Sequence, residues 1–334
     1  MTGVFCGGGT GVEQICELEK EPMITTLTMN PCIDKTFMIR GFEYGEVNRV
    51  VESRTDPCGK GINVSVALHN LGVETRAVSI IYREHTELYR RMMEERGIPF
   101  EAAEAPGRVR ECIKVWNLED GVNTEVNERG GAVPEENVRE LLHILETALR
   151  DSDAIVVTGS VPQGIAPDFY KTVLQMAKSC GAFTVLDAEG ELFLRGLEAK
   201  PDLIKPNLYE ITRTFGLPSD DLDVVLKKCC ELIAEGSAGE VCLSMGSRGA
   251  LMTDGREAYL VKSTPGLEVK GTQGAGDSVV AGICRAKRDG LSLREQLISG
   301  VAAAQASVIL PGTELCRPED YEKMRGILTA EKLL

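Results

Sequence analysis

Several features are missing from this 334-residue chain, and each absence narrows the reading. No apolar run approaches the length needed to cross a bilayer. The start of the chain lacks the basic-then-apolar order of a secretion signal, so a cytoplasmic protein is expected. A basic excess is missing too. Asp and Glu total 51 against 37 Lys and Arg, a net charge of -14. That excludes general nucleic-acid binding, and any anionic ligand must be held by a local basic pocket. The 11 cysteines include no C-x-x-C pair. An odd, scattered set reads as reduced thiols. No internal repeat or low-complexity segment follows residue 22. No G-x-G-x-x-G follows the first strand, which sets aside a dinucleotide-binding oxidoreductase.

What is present is an ordinary globular balance, 43% hydrophobic and 26% charged, with enough length for a sizeable core. Residues 1–22 differ from the rest and are expected to form a flexible tail. Their "CGGGTG" lacks a following Lys-Ser/Thr and a preceding strand, so it fails as a phosphate loop. From Met23 onward, β-prone runs such as "MITTLTM", "AIVVTGS" and "EVCLSMG" alternate with amphipathic helical stretches. This predicts an α/β fold with a mostly parallel central sheet and helices on both faces. Two stretches, "TFMIRGFEYGEVNRVVES" and "ECIKVWNLEDGVNTEVN", alternate with period two and have no helix to cover them. They predict a small β subdomain, a candidate lid, over about 34–55 and 108–128 of a domain spanning 23–334.

The segment "GTQGAGDSVVAG" places Gly274, Ala275 and Gly276 directly before Asp277 at a helix start. Backbone amides there lack internal partners and carry partial positive charge. Small residues let them touch an anion, and Asp277 is then placed to take a proton. A plain helix N-cap is the competing reading. "CGKGIN" brings Gly59, Lys60 and Asn63 to a second Gly-rich turn before a helix. Asp34, Ser160, the group Lys205, Asn207 and Glu210, and the pair Gly246 and Gly249 fall at the ends of further strands, where ligands bind in open α/β sheets.

Taken in order, "NPCIDKT", "GEVNR", "GKGIN", "TEVNE", "TGSVPQG", "KPNLYE" and "GAGDSVVAG" resemble the phosphofructokinase-B family of ribokinase-like sugar kinases. The set is most similar to the 1-phosphofructokinase and tagatose-6-phosphate kinase branch. The resemblance implies ATP-dependent, Mg2+-assisted phosphorylation of a sugar phosphate, with fructose-1-phosphate as first choice and tagatose-6-phosphate as the alternative. It implies Asp277 as catalytic base and the amides of Gly274, Ala275 and Gly276 as anion hole. It assigns Asp34, Gly59, Asn63 and Ser160 to the sugar and Arg110 to its phosphate, with Lys60, Arg49 and Lys114 as helpers. Lys205, Asn207, Ser244, Gly246 and Gly249 fall on the nucleotide side, with simple pairing to a nearby carboxylate as the alternative for Lys205, and Asn207 with Glu210 positions magnesium through water. The lid is expected to close over the sugar and to form a homodimer interface.

Four departures from the family pattern stand on the sugar side. Cys58 replaces a glycine before Gly59. "IYREHTELYRR", with Arg83, Glu84 and His85, replaces a glycine-rich segment and is expected to crowd or reshape the sugar pocket; for His85 an exposed helix-start residue is the favoured reading over a new substrate contact. Arg110-Glu111-Cys112 replaces Arg-x-Asn. "NERGG" replaces "NEPGP". The altered glycine segment motivates a second class of reading, a non-catalytic sugar-phosphate sensor, against which the intact Asp277, Asn207 and Glu210 argue.

Overall fold

The computed structural model describes residues 23–334; the expected N-terminal tail lies outside the described residues. Strand β1 (Ile24–Thr28) leads into two strands of the small sheet, β2 (Cys32–Ile39) and β3 (Val50–Cys58), and then helix α1 (Lys60–Asn70). β4 (Thr75–Tyr82), α2 (Thr86–Glu95) and β5 (Phe100–Ala105) precede two more small-sheet strands, β6 (Arg110–Asn117) and β7 (Asn123–Asn127). Helices and strands then alternate through α3 (Glu135–Ala148), β8 (Ala154–Thr158), α4 (Phe169–Ser179), β9 (Phe183–Asp187), α5 (Gly190–Leu197) and β10 (Leu203–Ile204). After α6 (Leu208–Phe215), α7 (Leu222–Ala234) and β11 (Glu240–Ser244) comes the hairpin β12 (Ala250–Thr253) and β13 (Ala258–Val261). The chain closes with α8 (Ala275–Arg288), α9 (Leu293–Val308), α10 (Pro318–Ile327) and β14 (Ala330–Lys332).

The large sheet has ten strands in the order β14-β13-β12-β11-β10-β9-β8-β1-β4-β5. From β5 to β11 every pairing is parallel, and the last three strands are antiparallel. Central strands β1 (ITTLT) and β8 (AIVVT) are buried along their whole length. Their β-branched residues suit a sheet covered by helices on both faces. Helix α8 packs on α1 and α9, and α4 packs on α5. Close approach of α8 and α9 depends on glycine. A Cβ at Gly282 would strike the Ser299 carbonyl, and one at Gly300 would lie 2.9 Å from Ile283 Cγ1.

The small sheet runs β3-β2-β6-β7, with β2 antiparallel to β3 and parallel to β6. Its strands reach further toward the core than the sequence pattern indicated, back to Cys32 and on to Cys58. Asp34 therefore lies on a strand, not in a turn after one. The register pairs Cys32 with Cys58 and Arg110, Asp34 with Cys112, and Lys114 with Glu125. Paired residues share a face, so one side of this sheet presents Cys32, Asp34, Cys58, Arg110, Cys112 and Lys114 together.

Candidate active site

The α8 N-terminus is the geometric centre of the site. Gly274, the N-cap, is left-handed at φ 67°, and a Cβ there would run into Leu315. Only glycine meets both conditions without strain. The Ala275 amide reaches the Thr272 carbonyl at 3.4 Å and the Ser278 amide reaches Gly274 at 2.8 Å. Among the described residues the amides of Gly276 and Asp277 have no acceptor. These are the free donors that a helix start offers an anion.

Asp277 is 5% exposed and accepts a hydrogen bond from Asn63 Nδ2 at 2.9 Å. Burial pushes its carboxyl up to about 6, against the pull of Lys60. Asn63 sits in the first turn of α1, whose Gly-Lys-Gly entry is shaped by crowding. A Cβ at Gly59 would lie 2.6 Å from Thr28 Cγ2, and one at Gly61 2.5 Å from the Leu27 carbonyl. Thr28 Oγ1 accepts from the Ile62 amide at 2.9 Å, which pins α1 to the end of β1.

Asp187, at the end of β9, gathers the cations beneath. It meets Lys205 Nζ at 3.1 Å and Lys60 Nζ at 3.6 Å, and accepts from Thr158 Oγ1 at 3.0 Å. Burial alone would raise this carboxyl; Lys205 and Lys60 outweigh it and hold it below the usual range. Asp187 in turn raises Lys60. Asn207 and Glu210 form a capping box on α6, with Asn207 N to Glu210 Oε2 at 2.7 Å and Glu210 N to Asn207 Oδ1 at 2.8 Å.

Two cavities meet here. A polar cleft of about 510 Å³ lies between the small sheet and α8 and contains Asp34, Lys60, Asn63, Arg110, Lys114, Asp187, Lys205, Glu210 and Asp277. A larger cavity of about 970 Å³, walled by Tyr209, Met245, Pro265, Leu267, Val279 and Val301, also contains Gly246, Gly249 and Ala275. Both are bordered by Asn207, Ser244, Thr272 and Gly276. The free amides of α8 thus stand where one compartment opens into the other.

The structure relocates several expected residues. Lys205 lines the polar cleft and pairs with Asp187, so it is not on the larger cavity. Gly249 is left-handed at φ 98° and pressed against the Val261 carbonyl, which explains glycine there by packing. Ser160 is outside the cleft lining and accepts from Asn30 Nδ2 at 3.1 Å. Arg49 is exposed at the far end of the small sheet. Arg83 and Glu84 are exposed, His85 accepts from the Val109 amide at 3.3 Å, and none of the three lines the cleft. That segment acts through Tyr89 instead, whose hydroxyl donates to the Cys32 carbonyl at 2.6 Å and the Cys58 carbonyl at 3.0 Å. Arg110 donates to the Asn30 carbonyl at 3.2 Å and the Glu128 carbonyl at 3.1 Å while lining the cleft. Lys114 is buried in an ion pair with Asp34 Oδ2. Sequence reasoning missed Asp187, although an acid at a strand end was the signal used for its neighbours. It also missed Thr272 and the gathering of Cys32, Cys58 and Cys112.

A parallel α/β sheet with a buried carboxylate and a bare helix N-terminus between two compartments defines a phosphotransferase of the ribokinase-like kind. The pattern of the pfkB family carbohydrate kinases matches residues 27–320, and the chain belongs to that family. It is 31% identical to the 1-phosphofructokinase of Rhodobacter capsulatus over 312 residues, 93% of this chain and 98% of that protein. The structure of phosphofructokinase-2 from Escherichia coli in complex with substrates and products superposes with a TM-score of 0.82 at 26% identity, covering 91% of this chain and 98% of that one. A structure from Thermotoga maritima described as a possible 1-phosphofructokinase matches at TM-score 0.85 and 23% identity, covering 93% and 100%, a likeness of fold. This protein is an ATP-dependent, 1-phosphofructokinase-like sugar kinase.

Proposed function

We propose that the protein phosphorylates fructose-1-phosphate on its 6-hydroxyl, giving fructose-1,6-bisphosphate and ADP. The observation that carries the reading is the junction of the two cavities at Asp277 and the free amides of α8. The sugar occupies the polar cleft, with Asp34 and Asn63 on its hydroxyls and Arg110 on its phosphate. Lys114 and Lys60 supply further positive charge in an otherwise acidic protein. ATP occupies the larger cavity, its base among the apolar walls and its γ-phosphate at Gly276 and Asp277. Asp277 takes the proton of the acceptor hydroxyl as that oxygen bonds to the γ-phosphorus and the β–γ bridge breaks. The amides stabilise the charge on the transferring group.

The donor set suits Mg2+, a hard cation that binds through one or two carboxylates, phosphates and water. Glu210 has one carboxylate oxygen with no hydrogen-bond partner among the described residues, and Asn207 adjoins it. These two would hold the ion through water, and its charge would neutralise the phosphate oxygens.

The small sheet acts as the lid, and its uncovered face supports a homodimer. Eight of the fourteen exposed large hydrophobics belong to its strands and their connections, among them Tyr44, Val47, Val51, Val122 and Val126. Nine free cysteines among the described residues support a cytoplasmic location. No helix there is long and apolar enough to cross a membrane.

A coupled ADP-release assay with MgATP tests the reading against fructose-1-phosphate, fructose-6-phosphate, tagatose-6-phosphate and unphosphorylated sugars. Fructose-1-phosphate is expected to give the highest kcat/KM, and a preference for tagatose-6-phosphate would overturn the substrate named here.

A further inference from the structure

Three thiols from three different strands converge at the root of the small sheet. Cys32 and Cys58 are register partners across β2 and β3, and Cys112 stands opposite Asp34 on β6. Their sequence positions are 26 and 54 residues apart, so only the sheet brings them together. The Cys32 and Cys58 sulfurs are 3.2 Å apart. The Cys32 thiol also donates to Asp34 Oδ1 at 3.3 Å. The ligating atoms of Cys32, Cys58 and Asp34 all lie within 4.8 Å of one another. Cys112 completes a buried cluster with the two other thiols, and all four residues line the polar cleft. Two of the thiols, Cys58 and Cys112, are among the departures from the family pattern.

We propose that Cys32, Cys58, Cys112 and Asp34 form a binding site for a thiophilic divalent cation, Zn2+ being the natural member of the class, and that filling it weakens sugar binding. The donor chemistry fits. Zn2+ takes thiolates at about 2.3 Å and carboxylate oxygen at about 2.1 Å in a tetrahedron. That geometry asks for sulfurs about 3.8 Å apart and a sulfur-to-oxygen separation of about 3.6 Å. The present spacings of 3.2 Å between the Cys32 and Cys58 sulfurs and 3.3 Å from the Cys32 sulfur to Asp34 Oδ1 need to open by only about half an ångström, and Cys112, which stands outside the 4.8 Å group of the other three, must swing in as the fourth ligand. Asp34 divides its two oxygens suitably, with Oδ1 toward the Cys32 thiol and Oδ2 on Lys114. Oδ1 can therefore ligate without breaking the ion pair. The three thiol protons leave to solvent as the thiolates bind, and no electron changes hands. A disulfide between Cys32 and Cys58 would use two of the four donors and would require an oxidant. The third thiol and the carboxylate favour a cation. With Oδ1 on the metal and Oδ2 on Lys114, Asp34 has no oxygen left for a sugar hydroxyl.

The test uses the full chain, reduced and handled without oxygen, with Co2+ as the coloured probe. One equivalent of Co2+ is expected to bind with an intense thiolate-to-cobalt charge-transfer band, and Zn2+ is expected to bleach it. The band is expected to vanish in Cys32→Ala and in Cys58→Ala and to persist in Cys180→Ala, whose thiol is exposed and distant from the cleft. A wild-type protein with no thiolate band overturns the site whether or not the variants fold, and so does a band that survives both cleft substitutions. The effect on turnover rests on the reading of Asp34 as a sugar ligand and is measured separately. Zn2+ is expected to raise the KM for the sugar phosphate at least tenfold with kcat unchanged, reversibly with a chelator. A cobalt band without that rise keeps the site and overturns the assignment of Asp34 to the sugar.

Discussion

Asp277 is an acid that the fold holds at a cost. Its carboxyl titrates near 6 in the folded chain, above the ordinary value near 3.8. The fold therefore prefers the protonated form. That favourable contribution is complete below about pH 4 and is lost as pH rises through 6. At pH 7.5 the ionised carboxylate costs roughly 3 kcal/mol, from about two pKa units at 1.36 kcal/mol each. Asp277→Asn is expected to lower kcat by about 10²–10⁴-fold. The same change should raise stability by up to about 3 kcal/mol at pH 7.5 in a urea titration, with the gain shrinking below pH 6. A variant both inactive and less stable would remove the strained-base reading. The same group sets the pH profile. As the proposed base, Asp277 must be ionised, so kcat/KM should fall about tenfold per pH unit below 6. This limb is not unfolding. Asp187 is held below its usual range, so its pairs with Lys205 and Lys60 persist across that window. Circular dichroism unchanged from pH 7 to pH 5 would check this.

The glycine contact between α8 and α9 locates the helix that carries the proposed base. Gly282 lies two turns along α8 from the amides that face the junction, with no room for a side chain against Ser299. Gly282→Val is expected to destabilise the protein by about 1–3 kcal/mol through overpacking. It should also lower kcat more than it raises KM for ATP, because displacing α8 moves Asp277 and the amide cradle together. Thermal melting and steady-state kinetics on one preparation separate the two effects. Elements of this kind differ in how plainly the sequence announces them. The apolar runs of β8 and β11 and the long periodic helices α3 and α7 are readable because burial on two faces, or on one stripe, imposes a period. Strands β5 and β14 and helices α5 and α6 escaped notice. β14 has three residues, β5 is an edge strand reading "FEAAEA", and the two helices have eight residues each, too short to establish a period. The motif at Gly274–Asp277 was legible because local backbone demands select glycine there. The Cys32, Cys58 and Cys112 cluster was not, because it depends on cross-strand register, which no local stretch contains. Arg83 and Glu84 misled for the same reason, while His85 stands at the start of α2 as a plain helix-start residue. Among the described residues, their segment reaches the cleft strands through Tyr89, one helical turn further on.

At the scale of the whole molecule, the small sheet and its connections carry the largest gathering of uncovered apolar side chains among the described residues. Val51→Asp, at the bulge of β3 and 59% exposed, is expected to convert a dimer to a monomer in analytical ultracentrifugation while leaving the fold intact. A wild-type monomer, or a Val51→Asp dimer, would count against the lid interface. Because the sheet is one layer thick beyond its root, where Ile33 is buried in the main core, its strands there carry two messages interleaved residue by residue. Along β2 and β6, even-numbered positions such as Asp34, Arg110, Cys112 and Lys114 face the cleft, while Lys35 and Glu111 pair on the opposite side at 2.8 Å. A residue-by-residue mutational scan of either strand should therefore return an alternating readout, turnover lost at one position and self-association altered at the next, like two texts printed on the two sides of one page.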